Sequence, residues 1–112
     1  MGTFRLFADD NGLSRIETME LDPSHEWAKG LPVTNIKFTT SMPGFMDWHT
    51  APRRQFIIIL SGQLEIGIGD GTKHRFGPGD CRLVEDTTGK GHTTEVIGSA
   101  PCVTATIVLT DQ

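Results

Sequence analysis

Two glycine-punctuated stretches each deliver one histidine. Pro43-Gly44-Phe45-Met46-Asp47-Trp48-His49 runs on to Gln55 and Gly62, and Phe76-Gly77-Pro78-Gly79-Asp80 runs on to His92. Two imidazoles brought together from separate strands can hold a divalent ion, with the side-chain oxygen of Gln55 as a third donor. Such a set leaves positions open for water or substrate, and it suits iron, manganese, nickel or zinc. A carboxylate at position 55 would help retain the ion. Neutral Gln55 withholds that charge, and Glu85 or Asp86 would restore it if their loop folds inward. Glu85 is also the candidate acid or base, as a loop carboxylate beside the mouth. Arg53 and Arg54 alternate, so one should point into the interior or its mouth, where a guanidinium can clamp a carboxylate bidentately. Two solvated arginines are the plainer reading. Trp48 and Phe45 would wall a pocket or fill core space.

Whether these residues meet depends on parity. Residues an even number apart on a strand share a face, which puts Gln55 with Ile57 and Ile59. His49 lies six positions before Gln55 and shares that face if no bulge intervenes. Pro52 makes a bend there a real alternative. His92 must approach from another strand. Nothing places His25 or His74 nearby, and His74 sits between Lys73 and Arg75 in a polar hairpin arm. Gly89-Lys90-Gly91 lacks the earlier glycine, the following Ser or Thr and the helix of a phosphate-binding loop.

The elements that must position the histidines are short strands. Thr3 to Phe7 and Ser14 to Leu21 read as strands, parted by a turn at Asp9-Asp10-Asn11-Gly12. One helical turn is expected over Asp22 to Lys29, too short to be stable unaided. Val33 to Ser41 reads as a strand with Val33, Ile36 and Phe38 as core contacts. Phe56-Ile57-Ile58-Ile59-Leu60 is too continuously apolar for a strand with one wet face and should be covered on both sides. Gln63 to Ile68 alternates strictly, burying Leu64, Ile66 and Ile68. Thr72 to Phe76, Cys81 to Val84, Thr93 to Ile97 and a last strand ending near Leu109 complete the set. Turn signals at short intervals, and no long helix, predict an all-β sandwich or barrel.

Size and composition narrow the function. The 112 residues suit a single domain spanning 1–112, because two cores would each be too small. A formal charge of −4 offers no basic excess for a phosphate backbone, which argues against nucleic-acid binding. The longest purely apolar run, Phe56 to Leu60, is five residues, far short of a membrane span. The first residues lack a secretory apolar region, so a cytoplasmic protein is expected. Cys81 and Cys102 form no C-x-x-C pair and read as reduced, partly buried thiols.

The segment from Gly44 to Val96 resembles the cupin family, whose single-domain members are jelly-roll barrels of the double-stranded β-helix type. The family's first motif runs from a Gly to a His-x-His pair, a Glu, and a Gly seven positions further on. Gly44, His49, Gln55 and Gly62 follow that frame, with Gln55 at the Glu position and Ala51 where the second His would stand. The second motif, from Pro78-Gly79-Asp80 to His92, fits with about two residues added to its loop, the change of length a loop tolerates best. The resemblance implies a cupin-type barrel holding a divalent metal on His49, Gln55 and His92, with Trp48, Arg53 and Arg54 toward the substrate. It implies oxygenase, isomerase or lyase chemistry on a small metabolite, expected to be anionic. A metal-free, non-catalytic small-molecule-binding cupin is the alternative, motivated by the missing histidine and the Gln. Pairing of sheets into a homodimer is also implied, as is a mainly structural dimer with a vestigial pocket.

Overall fold

The computed structural model describes residues 1–112. Ten strands follow in chain order: β1 (Thr3–Ala8), β2 (Ser14–Thr18), β3 (Val33–Ser41), β4 (Gly44–His49), β5 (Gln55–Ser61), β6 (Leu64–Gly67), β7 (Lys73–Phe76), β8 (Cys81–Val84), β9 (His92–Val96) and β10 (Cys102–Leu109). One 3-10 turn, Glu26–Lys29, sits between β2 and β3, with His25 accepting a hydrogen bond from the Trp27 amide at its start. Six strands form one sheet in the order β2-β1-β8-β5-β10-β3, and four form the other as β4-β9-β6-β7. All pairings are antiparallel except β1 on β8, which is parallel.

The sheets pack through their inner faces. Leu6, Ile59, Leu64, Ile66, Ile68, Phe76, Val84, Val96 and Cys102 form the core with Ala51. The alternation read from Gln63 to Ile68 is realised, since Leu64, Ile66 and Ile68 are all buried. The five-residue apolar run lies in β5, inside the larger sheet between β8 and β10. Trp27 from the 3-10 turn packs edge-on against Phe56, ring centroids 4.8 Å apart, and covers part of the outer face. Coverage on that side is incomplete, for Leu60 stays exposed.

β3 departs from expectation. Val33, Ile36 and Phe38 are exposed rather than core contacts, Phe38 by 68%. The strand is an edge of the larger sheet, and its alternation turns Lys37, Thr39 and Ser41 toward the interior. Ile36 and Phe38 therefore face outward, and Val33 lies exposed beyond the register shift at the strand's start. Both cysteines are free thiols, and burial pushes each above its ordinary range, which keeps them protonated and unreactive.

Candidate functional site

Between the sheets lies a cavity of about 230 Å³. The larger sheet contributes a cross-strand row. Arg82 of β8 stands opposite Ile57 of β5, Ile57 opposite Thr106 of β10, and Thr106 opposite Lys37 of β3. Gln55 and Val84, themselves partners, lie one pleat further along the same face, and Thr104 faces Thr39 on the other side. All of these line the cavity. From the smaller sheet come His49 and Met46 of β4, His92 and Thr94 of β9, and Leu64 of β6.

The two histidines meet. His49 is the register partner of His92, and their ring centroids are 4.5 Å apart. Two local features produce this. The β4–β9 register shifts between Met46 and His49, a bulge that lets residues an odd number apart face the same cavity. Gly91, with φ at 78°, lays its backbone against that of His49, where a Cβ would collide with the His49 carbonyl. No other residue at position 91 could bring His92 so close without moving a strand.

Each ring is held from behind by its Nδ1. His92 Nδ1 donates to Asp86 Oδ2 at 2.6 Å, and the same oxygen accepts from Ser14 Oγ at 2.6 Å. His49 Nδ1 donates to the Asp47 carbonyl at 2.7 Å. The proton assignments follow from the partners, since an ionised carboxylate and a carbonyl can only accept. Both Nε2 lone pairs are thereby left free. Asp86 is fully buried (0% exposed) and reaches His92 because the Glu85 to Gly91 loop turns inward, where the Asp86 carbonyl also accepts from the Ala51 amide.

The remaining sequence-predicted residues divide. Gln55 lines the cavity with both histidines, and Ala51, standing where the family frame has its second histidine, lines it too. Glu85 does not. Both of its oxygens are engaged on the outer side, one by Arg5 and one by Arg54 Nε at 2.8 Å, in a separate cleft beside Trp27. Arg54 also donates to the Asp111 carbonyl, and Arg53 is exposed, so neither arginine reaches the cavity. Trp48 is exposed, with the Lys90 ammonium 4.5 Å from its ring centroid. For the two arginines the physical reason is shared. The chain between His49 and Gln55 turns at the barrel's rim, and strand parity gives Gln55, not Arg54, the inward direction.

Arg82 and Ser14 form the part of the site that the sequence reading did not single out, and Asp86, raised there as a carboxylate for the ion, instead backs His92. Arg82 is 4% exposed, and its Nε and Nη1 have no hydrogen-bond partner. Burial holds its guanidinium down to about 10, well below its ordinary range. A signal for it did exist: one charged residue in the short apolar run Cys81 to Val84, sharing a face with Val84. Charged side chains lining the cavity are Lys37 and Arg82, with no Asp or Glu among the liners.

A divalent ion is partly provided for. No cluster of three or more His, Cys, Asp or Glu side chains gathers in a metal-holding arrangement. Two imidazoles with free Nε2 atoms, one backed by a carboxylate, are nonetheless a usual half of such a site. Gln55 would add a neutral oxygen. The donors fit a weakly held ion rather than a tightly held one.

No protein-family model matches the chain. No curated protein matches it either. Among solved structures, the conserved protein SPY1581 of unknown function from Streptococcus pyogenes is 20% identical, at a TM-score of 0.48 over 70% of this chain and 68% of that one. Protein NMB1881 from Neisseria meningitidis is 17% identical, at a TM-score of 0.49 over 70% of this chain and 80% of that one. The cupin domain of Schizosaccharomyces pombe Cnp3 is 12% identical, at a TM-score of 0.48 over 86% of this chain and 72% of that one. Two facing sheets with His49, Gln55 and His92 turned between them agree with the cupin-type fold that the sequence resemblance implies.

Proposed function

We propose that the barrel cavity binds a small metabolite and that His49 and His92 are the centre of its chemistry. One observation carries this: both Nδ1 atoms are tied back, so two Nε2 lone pairs are presented together at the cavity. In the favoured reading His49, His92 and the Gln55 oxygen hold a divalent ion of the iron, manganese, nickel or zinc type. When bound, the ion would supply Lewis-acid polarisation of a ligand oxygen. Asp86 and Ser14 fix the ring of His92, and the Asp47 carbonyl fixes that of His49. The size of the cavity, about 230 Å³, falls below the ~300–1,000 Å³ of drug-sized pockets and suits a small molecule.

A second reading has the cavity bind its ligand without metal, the Nε2 atoms accepting hydrogen bonds from it. Neutral Gln55 and the lack of an acidic liner favour it. Metal analysis of protein purified without chelator, followed by titration with manganese and zinc, separates the two. The metal reading requires uptake near one equivalent that is lost in His92→Asn. Uptake below about a tenth of an equivalent, at the micromolar protein used for such assays, would leave the metal-free reading.

We also infer a homodimer formed through β3. The strand is a free edge, nine residues long, and presents Val33, Ile36 and Phe38 outward. An unpaired edge of this length invites a second strand, and a second copy of β3 related by a two-fold axis meets it with the same surface.

A further inference from the structure

The least expected group in the cavity is Arg82, which no carboxylate pairs directly. Its Nε and Nη1 are buried without partners, and it takes part in none of the ion pairs of the molecule. Its guanidinium carbon lies 5.3 Å from the Phe76 ring centroid, and the charge of Asp86, whose Oδ1 is likewise buried without a partner, acts on it without a direct contact. A guanidinium cannot shed its proton at neutral pH, and burying it unpaired is costly. Such a group persists where a ligand, bound for part of the protein's working life, supplies the missing charge.

We propose that Arg82 is an anion-recognition residue and that the cavity takes a small organic carboxylate, its carboxylate group on Arg82 and its body reaching toward His49 and His92. This rests on reading the cavity as the ligand site. The hydroxyls of Thr106 and Thr104 line the same face of the sheet as Arg82 and can complete the carboxylate's hydrogen bonds. Facing sheets lie about 10 Å apart, so a molecule anchored on the larger sheet presents its far end to the histidines on the smaller one. Ile57, Val84 and Leu64 wall the space between. An apolar wall favours a carboxylate with a carbon body over an inorganic oxyanion. Arg82 is the one buried cation of the lining, Lys37 being exposed, which favours one negative charge over two. Burial leaves the guanidinium, at about 10, still charged at neutral pH.

The test is calorimetric titration of the full chain with acetate, lactate and benzoate, each beside its neutral amide, and with inorganic phosphate. At least one carboxylate should bind about tenfold or more tightly than its amide, the least that a charge-assisted contact in a buried site supplies. Arg82→Met should weaken that carboxylate about thirtyfold or more and leave the amide unchanged, as loss of a buried charged partner does. Arg82→Lys, which keeps the charge but not the planar fork, should fall between. Carboxylate binding that survives Arg82→Met but is lost in His49→Gln would overturn the assignment of Arg82 while leaving the cavity a ligand site. Amides or phosphate binding more tightly than the carboxylates would overturn the ligand class. Binding of none of these probes at about 10 mM, the weak end of useful affinity, would overturn the carboxylate site, whereas the metal titration, which does not involve Arg82, would still decide the histidine reading.

Discussion

Replacing Arg82 with methionine should make the ligand-free protein more stable, which is the reverse of what removing a buried side chain usually does. The guanidinium is held at about 10 in the fold, about two pH units or more below its value in the unfolded chain, with desolvation as the cause. Asp86 pulls the other way through its charge, but it forms no ion pair with Arg82. A group whose charged form is disfavoured by folding costs stability at every pH below about 10, and that cost fades as pH climbs from about 10 toward the ordinary guanidinium range. At about 1.4 kcal/mol per pH unit the gap sets a ceiling of about 3 kcal/mol. Two losses reduce the gain. The contact with Phe76 is worth about 1 kcal/mol, and imperfect filling by the methionine removes about another. A net gain of about 1 kcal/mol remains, which would raise the midpoint of thermal unfolding by about 4 °C in a domain of this size. Urea unfolding of wild type and Arg82→Met at pH 7 measures it directly. Repeating the pair near pH 11 should shrink the difference, because the wild-type guanidinium begins to lose its proton there. A variant less stable than wild type by about 1 kcal/mol or more would refute the reasoning, and would mean that Arg82 is paired in solution, with Asp86 as the nearest carboxylate on offer.

Other consequences are simpler to state. Asp86→Asn keeps the shape but weakens the grip on His92 and Ser14, and should cost about 2 kcal/mol in urea unfolding and about tenfold or more in zinc affinity by titration. Glu85→Gln should leave carboxylate and metal titrations within about twofold while costing about 1–2 kcal/mol of stability, because its bonds to Arg5 and Arg54 lie outside the cavity. Gly91→Ala should cost about 2 kcal/mol or more by thermal unfolding, against about 1 kcal/mol for Gly71→Ala, which has the same sign of φ but open space around it. Phe38→Lys should lower the mass seen by light scattering to that of one chain, because a lysine on an edge strand opposes edge-to-edge pairing.

The strands were legible because turn residues and period-two alternation are local signals. Cys81–Val84 and Val33–Ser41 match the sequence reading end to end, and the meeting of His49 with His92 follows from motif spacing alone. What the sequence hid depended on neighbours. Whether a strand with Val33, Ile36 and Phe38 buries them is decided by where it falls in the sheet, and β3 falls at an edge. Parity placed Gln55 correctly, but it placed His49 by a route the structure does not use. The count to Gln55 assumed an unbroken pleat, whereas the β4 bulge and the turn at Pro52 both intervene, and the two irregularities restore the face that a straight strand would have given.

Charge was the least legible property, since a carboxylate's partner is fixed by folding and not by spacing. Adjacent Glu85 and Asp86 point to opposite sides of the sheet, as successive residues in extended chain do. Glu85 goes outward to two arginines and Asp86 inward to a histidine. The arginines divide in the same way. Arg54, beside the first motif, is neutralised on the surface, whereas Arg82, ten residues before His92 and at no spacing the motif prescribes, lies between the sheets with two guanidinium nitrogens unpartnered. A cavity with two imidazoles, a guanidinium and no acidic liner is poorly suited to a bare dication and well suited to an anion. An anion seated on Arg82 would also lower the electrostatic cost of a dication at the histidines. By linkage, each would then raise the affinity of the other. The neutral Gln55 and the buried Arg82, which look like unrelated departures from a metal site, are therefore accounted for together: the negative charge that position 55 lacks is one the ligand brings.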